Sequence, residues 1–107
     1  MNVAKTFEDL IVWQKAHKLV ISIYKLTKLL PDEEKFILIP QIRRAALSVA
    51  VNIVEGFNRN TIKDSINFYY ISYASLEELK YHLLLSRDLM ILKDTHYNII
   101  KDKCEEV

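Results

Sequence analysis

The sequence predicts an all-α protein built as an antiparallel up-and-down four-helix bundle. Half of the 107 residues are hydrophobic and 27% are charged, which is typical of a folded domain. The chain contains one glycine and two prolines, and it has no Asn-Gly or Asp-Gly dipeptide of the kind that tight β-hairpins use. We therefore expect a single four-helix domain over residues 1–107.

The first helix is predicted from about Phe7 to Leu30. Thr6 is a candidate N-cap, and Asp9 follows three residues later, as in a capping box. Pro31 ends the helix because its ring cannot continue the hydrogen-bond ladder. At about 100° per residue, the apolar side chains share an arc of about 160° that faces the core. They are Val12, Trp13, Ala16, Leu19, Val20, Ile23, Tyr24, Leu26 and Leu30.

The second helix is predicted from about Pro40, at its first position, to Glu55. Gly56 follows as a C′ residue in the left-handed conformation. Most residues from 42 to 54 are apolar, and the polar side chains gather within about 80° of the helical wheel, where only this thin stripe faces water. The stripe consists of Gln41, Arg44, Ser48, Asn52 and Glu55.

This excess of apolar surface has two interpretations. In the first, the helix is buried by its own bundle and also by another subunit, so that the protein is a homo-oligomer. In the second, the helix is simply central in its own fold. The interface predicted by the first consists of Ile42, Arg43, Leu47, Ala50, Val51 and Val54.

The third helix is predicted to begin at Thr61, with Asp64 completing a capping-box-like pair, and to run for about 30 residues. A fourth helix begins near Asp94. Its Tyr97, Ile100 and Cys104 share one side. The third helix carries a four-three seam of Ile62, Ile66, Tyr69, Tyr73, Leu76, Leu83 and Met90, interrupted by Lys80 and Arg87, beside a stripe of Ser65, Ser72, Ser75 and Ser86 that permits close helix approach.

Basic residues are concentrated in two parts of the chain. The first helix has four lysines with no acidic residue between Asp9 and Asp32. Such a face either binds phosphates or only keeps the protein in solution. The predicted nucleic-acid contacts are Lys15, Lys18, Lys25 and Lys28 in the first helix, and Arg43, Arg44, Arg59 and Lys63 in a second cluster.

Several ordered motifs together resemble one protein family. They lie at residues 7–16, 41–46, 52–56 and 75–79, with the sequences FEDLIVWQKA, QIRRAA, NIVEG and SLEEL. They are similar to the four-helix-bundle family encoded within intervening sequences of bacterial 23S ribosomal RNA genes. The resemblance covers nearly the whole chain.

The resemblance implies a homopentamer without known catalytic activity. It also implies a relationship to the accessory protein of diversity-generating retroelements, which partners a reverse transcriptase and binds nucleic acid. Ile37 and Ala74 stand where the family usually has glycines, and Ile39 and Pro40 replace its usual small hydroxyl cap. These departures bear on the loop before the second helix and on one close helix contact.

Other functions find little support in the sequence. His17, His82 and His96 lack metal-ligand spacing, and one glycine cannot form a phosphate loop, so we expect no metal, no cofactor and no enzymatic activity. We expect no membrane span. One cysteine and the absence of a leader before Phe7 favour the cytoplasm. The leading hypothesis is an oligomer that contacts RNA or DNA; the alternative is a scaffold that docks a reverse transcriptase or a ribosomal component.

Overall fold

Four α-helices account for most of the chain in the computed structural model, which describes residues 3–107. They are α1 (Ile11–Thr27), α2 (Leu38–Phe57), α3 (Ile62–Asp88) and α4 (Asp94–Glu105), with 3₁₀ turns at Phe7–Asp9 and Asp32–Glu34. The described residues form no strand. The all-α class and the four predicted helices are confirmed. The first two residues of the predicted domain lie outside the described part.

Neighbouring helices run in opposite directions. Arg44, early in α2, pairs with Glu78 in α3, whereas Gly56, near the end of α2, packs against Tyr69, early in α3. The same reversal relates α1 to α2, α3 to α4 and α1 to α4. The bundle is therefore antiparallel and up-and-down, as the sequence predicts.

The core lies between the helices and takes side chains from all four. In α4, Tyr97, Ile100 and Cys104 are buried, as predicted from their shared side. Burying one aliphatic side chain fully stabilises the fold by roughly 1.5–3 kcal/mol, so these positions fix the helix orientations. The most deeply buried large side chains of α1, α2 and α3 are Leu19, Ile23, Ile42, Val49, Leu79 and Leu83.

The predicted first helix is divided in two, because Leu10 has an extended backbone between the first 3₁₀ turn and α1. Asp9 closes that turn: its Oδ2 accepts hydrogen bonds from the backbone N–H groups of Lys5 at 2.8 Å and Thr6 at 3.2 Å. These bonds favour the carboxylate and hold the pKa of Asp9 below its usual value. Thr6 and Asp9 thus cap a short turn rather than a long helix.

The ends of α2 also differ from the prediction. The helix begins at Leu38, so Pro40 is its third residue. An N–H group at this position would have no acceptor within the helix, so proline loses no hydrogen bond there. Gly56 lies inside the helix and does not have a positive φ. Its absent Cβ instead permits the close approach of the Tyr69 ring.

The helix α3 begins as predicted, since the Thr61 hydroxyl accepts a hydrogen bond from Asp64 N–H at 3.2 Å. It ends in a Schellman motif, in which Ile91 N–H donates to Ser86 O at 2.9 Å and Met90 N–H donates to Arg87 O at 2.9 Å. Met90 occupies the left-handed position of this motif with φ 63°. The seam prediction had placed Met90 in the helix, whereas it lies in the turn beyond it.

Candidate interaction surfaces

The four predicted lysines of α1 form one exposed surface, which we call the lysine face: Lys15, Lys18, Lys25 and Lys28. Burial of the opposite side of α1 turns this surface outward. The first three lysines fall within about 80° of the helical wheel, and Lys28 lies about 60° further round. None of the four forms an ion pair with a carboxylate of residues 3–107. The structure therefore brings this predicted set together with its charge uncompensated.

Arg43 is half-buried and packs against α1. Its guanidinium lies 4.5 Å from the centre of the Tyr24 ring, and its Nε donates a hydrogen bond to Thr27 Oγ1 at 2.8 Å. Thr27 is fully buried. A stacked guanidinium that also satisfies a buried hydroxyl contributes to the α1–α2 contact. Arg43 is therefore a packing residue in the single chain.

The other arginines are engaged as well. Arg44 pairs with Glu78 and donates to Gln41 Oε1 at 3.1 Å. Arg59 pairs with Glu55 and stacks 4.5 Å from the centre of the Phe68 ring, and Arg87 stacks 4.5 Å from that of Tyr97. All four arginines of the chain thus have intramolecular partners.

The second predicted basic cluster does not form. Arg43 and Arg44 lie near the start of α2, whereas Arg59 and Lys63 follow its end, roughly 20 Å away along the helix axis. Only Lys63 of this set is exposed without an ion-pair partner among the described residues. Proximity in sequence across a long helix does not bring side chains together in space.

The predicted oligomer interface divides into two groups. Ile42 and Ala50 are buried in the chain's own core, which corrects the prediction for these two. Ile42 lies about 140° from Leu47 on the helical wheel, so the two cannot share a surface. The remaining predicted residues form the α2 outer stripe, in which Leu47 and Val51 are 41% and 51% exposed. The stripe consists of Arg43, Leu47, Val51 and Val54.

The middle of the polar side of α2, around Ser48, packs against α3, whereas Gln41 and Arg44 are exposed, so the predicted water-facing stripe is correct only in part. The hydroxyls of Ser48 and Ser75 are hydrogen-bonded at 2.7 Å, and Asn52 Nδ2 donates to Ser48 O at 2.8 Å. Ser72 Oγ donates to the backbone oxygen of Val49 at 2.7 Å. Small hydroxyl side chains let the two helices approach closely, as the serine stripe predicts. The aliphatic outer stripe is left exposed as a consequence.

A second apolar surface lies on the first half of α3. Ile66, Tyr69, Tyr70 and Tyr73 line a shallow cavity of about 350 Å³, and we call these residues the tyrosine face. Tyr70 and Tyr73 are 70% and 63% exposed. Clustered tyrosines combine a large apolar ring with a polar tip, which is typical of interfaces.

The four-three seam predicted for the third helix includes part of this surface. Of that seam, only Leu76 and Leu83 are buried, whereas Ile62, Ile66, Tyr69, Tyr73 and Met90 are exposed. The reason is length. The helix α4 has 12 residues, whereas α3 has 27. Because α4 packs only on the second half of α3, it does not cover the first half. The concentration of tyrosines between residues 69 and 73 was the signal that could have revealed this surface.

Cys104 is buried in the core. Burial raises the pKa of the Cys104 thiol to about 11, so the thiol remains protonated near neutral pH and is a poor nucleophile. Residues 3–107 contain no group of three His, Cys, Asp or Glu side chains that could hold a metal ion. Within that same range, no helix has both the length and the apolar character needed to cross a bilayer.

These features define a class of protein: an antiparallel four-helix bundle that presents a lysine face and two apolar outer surfaces. Residues 8–107 match the family described as 23S rRNA-intervening sequence protein, and the chain belongs to this family. The resemblance drawn from the sequence motifs is therefore confirmed.

A solved structure shares the fold. It is the crystal structure of a protein of unknown function from the S23 ribosomal protein family of Bacteroides thetaiotaomicron VPI-5482. Its sequence is 28% identical, the match covers 90% of each chain, and the TM-score is 0.83. No curated protein matches the chain.

Proposed function

We propose that this protein is a non-catalytic, self-assembling four-helix bundle that binds the backbone of RNA or DNA through its lysine face. One observation carries the proposal. The lysine face is exposed and uncompensated, whereas all four arginines are occupied within the fold. The 23S rRNA named in the family's description favours RNA as the partner and the cytoplasm as the location.

The spacing of the lysines suits a phosphate backbone. From Lys15 to Lys28 the face extends along α1 for about 20 Å, a distance that spans several phosphates of one strand. Lysines neutralise phosphates as point charges and do not read base edges in a fixed geometry. Binding should therefore depend weakly on sequence and strongly on salt.

Self-assembly would multiply this charge. Two apolar surfaces support it: the α2 outer stripe and the tyrosine face. Exposed apolar patches of this kind mark association sites on otherwise ordinary bundles. We propose a homo-oligomer, with the pentamer that the family resemblance implies as the specific form. Repetition of the lysine face around such a ring would produce a strong positive field.

Light scattering tests the assembly. We expect a mass several times that of one 12.6 kDa chain. Leu47→Glu with Val51→Glu, and separately Tyr70→Glu with Tyr73→Glu, place charges on the two exposed surfaces. The pair that lowers the mass identifies the contact. A wild-type mass equal to one chain refutes self-assembly.

A salt titration tests the nucleic-acid contact. Binding of labelled RNA is measured for the wild type and for a variant in which Lys15, Lys18 and Lys25 are changed to Gln. The matched control changes Lys5, Lys93 and Lys101 to Gln, which removes the same charge from other parts of the surface.

For each protomer that contacts the RNA, loss of three phosphate contacts should reduce the slope of log affinity against log salt by about 2. The control should keep most of the affinity. Equal effects of the two variants would show that only net charge matters, and absent binding at low ionic strength would refute the proposal.

The alternative function is a scaffold that docks a protein, such as a reverse transcriptase or a ribosomal component. The tyrosine face favours it, since aromatic side chains dominate the energetics of protein interfaces. A partner that remains bound after nuclease treatment, and is lost when Tyr70 and Tyr73 are changed to Glu without a change in mass, would support this function over the first.

A further inference from the structure

A groove runs along the bundle between α1 and α4. Leu26 and Ile100 form its buried floor, and Leu29 and Ile99 form its exposed walls. The two wall residues are 65% and 59% exposed, and the groove has a volume of about 230 Å³. Its surface is almost wholly apolar. Neither the fold nor the proposed nucleic-acid contact uses these exposed aliphatic side chains.

Two cations flank the apolar floor. Lys25 of α1 and Lys103 of α4 both line the groove, and neither pairs with a carboxylate among the described residues. Asp102 of α4 and Glu106, which follows the helix, are not among the lining residues. The groove therefore combines apolar walls with basic edges.

We propose that this groove binds an acidic amphipathic helix of a partner protein. The groove extends from Ser22 in α1 to Leu29 in the turn that follows, about 10 Å, which is the length of about two helical turns. A partner helix would place leucine-like side chains between Leu29 and Ile99, and carboxylates on its flanks would meet Lys25 and Lys103. This combination follows from charge complementarity together with the apolar floor.

A nucleic-acid backbone fits the groove poorly. Phosphates would meet the two lysines, but they present no apolar surface to cover Leu29 and Ile99, which would remain exposed to water. This inference goes beyond the proposed function and does not depend on it. The two share only Lys25, so separate variants can distinguish them.

Fluorescence anisotropy with a designed peptide tests the proposal. The labelled peptide has about three helical turns, with leucines at i, i+4 and i+7 and glutamates on both flanks. We expect saturable binding to the full chain. A peptide of the same charge, with serine in place of each leucine, should bind at least about tenfold more weakly.

Variants of the groove separate its two components. Leu29→Ser with Ile99→Ser should weaken peptide binding at least about tenfold and leave RNA binding unchanged. Lys25→Glu with Lys103→Glu should weaken it mainly at low salt. The matched controls are Ile11→Ser with Ile21→Ser and Lys5→Glu with Lys93→Glu, which alter exposed residues outside the groove. Circular dichroism verifies that each variant is folded.

Three binding results would overturn the proposal. They are absent binding of the leucine peptide up to about 1 mM, equal binding of the serine peptide, and equal losses in the groove and control variants. A fall in solution mass for the Leu29→Ser, Ile99→Ser variant would assign the groove to a contact between copies, which also overturns it. None of these results depends on RNA binding.

Discussion

Gly56 and Tyr69 are in close contact, so the effect of Gly56→Ala on the free energy of unfolding should depend on which residue is at position 69. A Cβ at position 56 would lie 2.5, 2.8 and 3.0 Å from three carbon atoms of the Tyr69 ring, well inside an ordinary contact distance. Overpacking of this kind costs about 1–3 kcal/mol. Against this, alanine is favoured over glycine inside a helix by about 0.8–1.0 kcal/mol.

Gly56→Ala should therefore lower the free energy of unfolding by about 1 kcal/mol, the difference between the two effects. In a Tyr69→Ala background the clash disappears and only the helix preference remains. The same substitution should then raise the free energy of unfolding by about 1 kcal/mol. The double-mutant cycle thus predicts a coupling of about 2 kcal/mol with a reversal of sign.

Urea unfolding of the four proteins measures this coupling, at one protein concentration because the proposed self-assembly would also contribute to stability. The solution mass of each variant is measured alongside, since Tyr69 belongs to the tyrosine face. If Gly56→Ala stabilises both backgrounds equally, the ring does not restrict position 56 and the reasoning is refuted.

Two further predictions concern the turn after α3 and the buried thiol. Met90→Gly should raise the free energy of unfolding by about 0.5 kcal/mol, because Met90 is 91% exposed and its left-handed backbone disfavours a Cβ; thermal unfolding checks this, and a lower melting temperature would contradict it. Cys104 has its pKa raised by burial to about 11, so the unfolded chain loses the thiol proton first as pH rises. The resulting stability is present below about pH 9 and is lost as pH rises towards 11, by about 3 kcal/mol in total. Urea unfolding across this range should show a steeper alkaline decline for the wild type than for Cys104→Ala, and parallel curves would contradict the prediction.

The sequence predicts the helices well because apolar periodicity and caps are local signals. Thr61 and Asp64 start α3 as expected, and the shared side of Tyr97 and Ile100 is the buried side of α4. The prediction of a left-handed residue at Gly56 is wrong. Glycine is the usual occupant of that conformation, but here Met90, after α3, adopts it. The single glycine serves a contact between helices, which local pattern does not reveal.

The candidate surfaces were harder to predict because they depend on which helix covers which face. The polar stripe of α2 predicts a water-facing side, yet Ser48 in its middle is hydrogen-bonded to Ser75 of α3 and Asn52 is bonded to Ser48. The groove walls Leu29 and Ile99 are far apart in the sequence and lie side by side only in the folded bundle. The lysine face was predictable since its members lie on one helix.

The occupation of every arginine determines what kind of positive charge the surface can offer. Guanidinium groups fixed on rings and carboxylates provide no free planar fork, so the mobile cations are ammonium groups on long flexible stems. Such groups follow a polyanion in any orientation and without a preferred register. If the lysine face binds a polyanion, as proposed, ionic strength alone would weaken or strengthen the contact while every packed side chain stays in place.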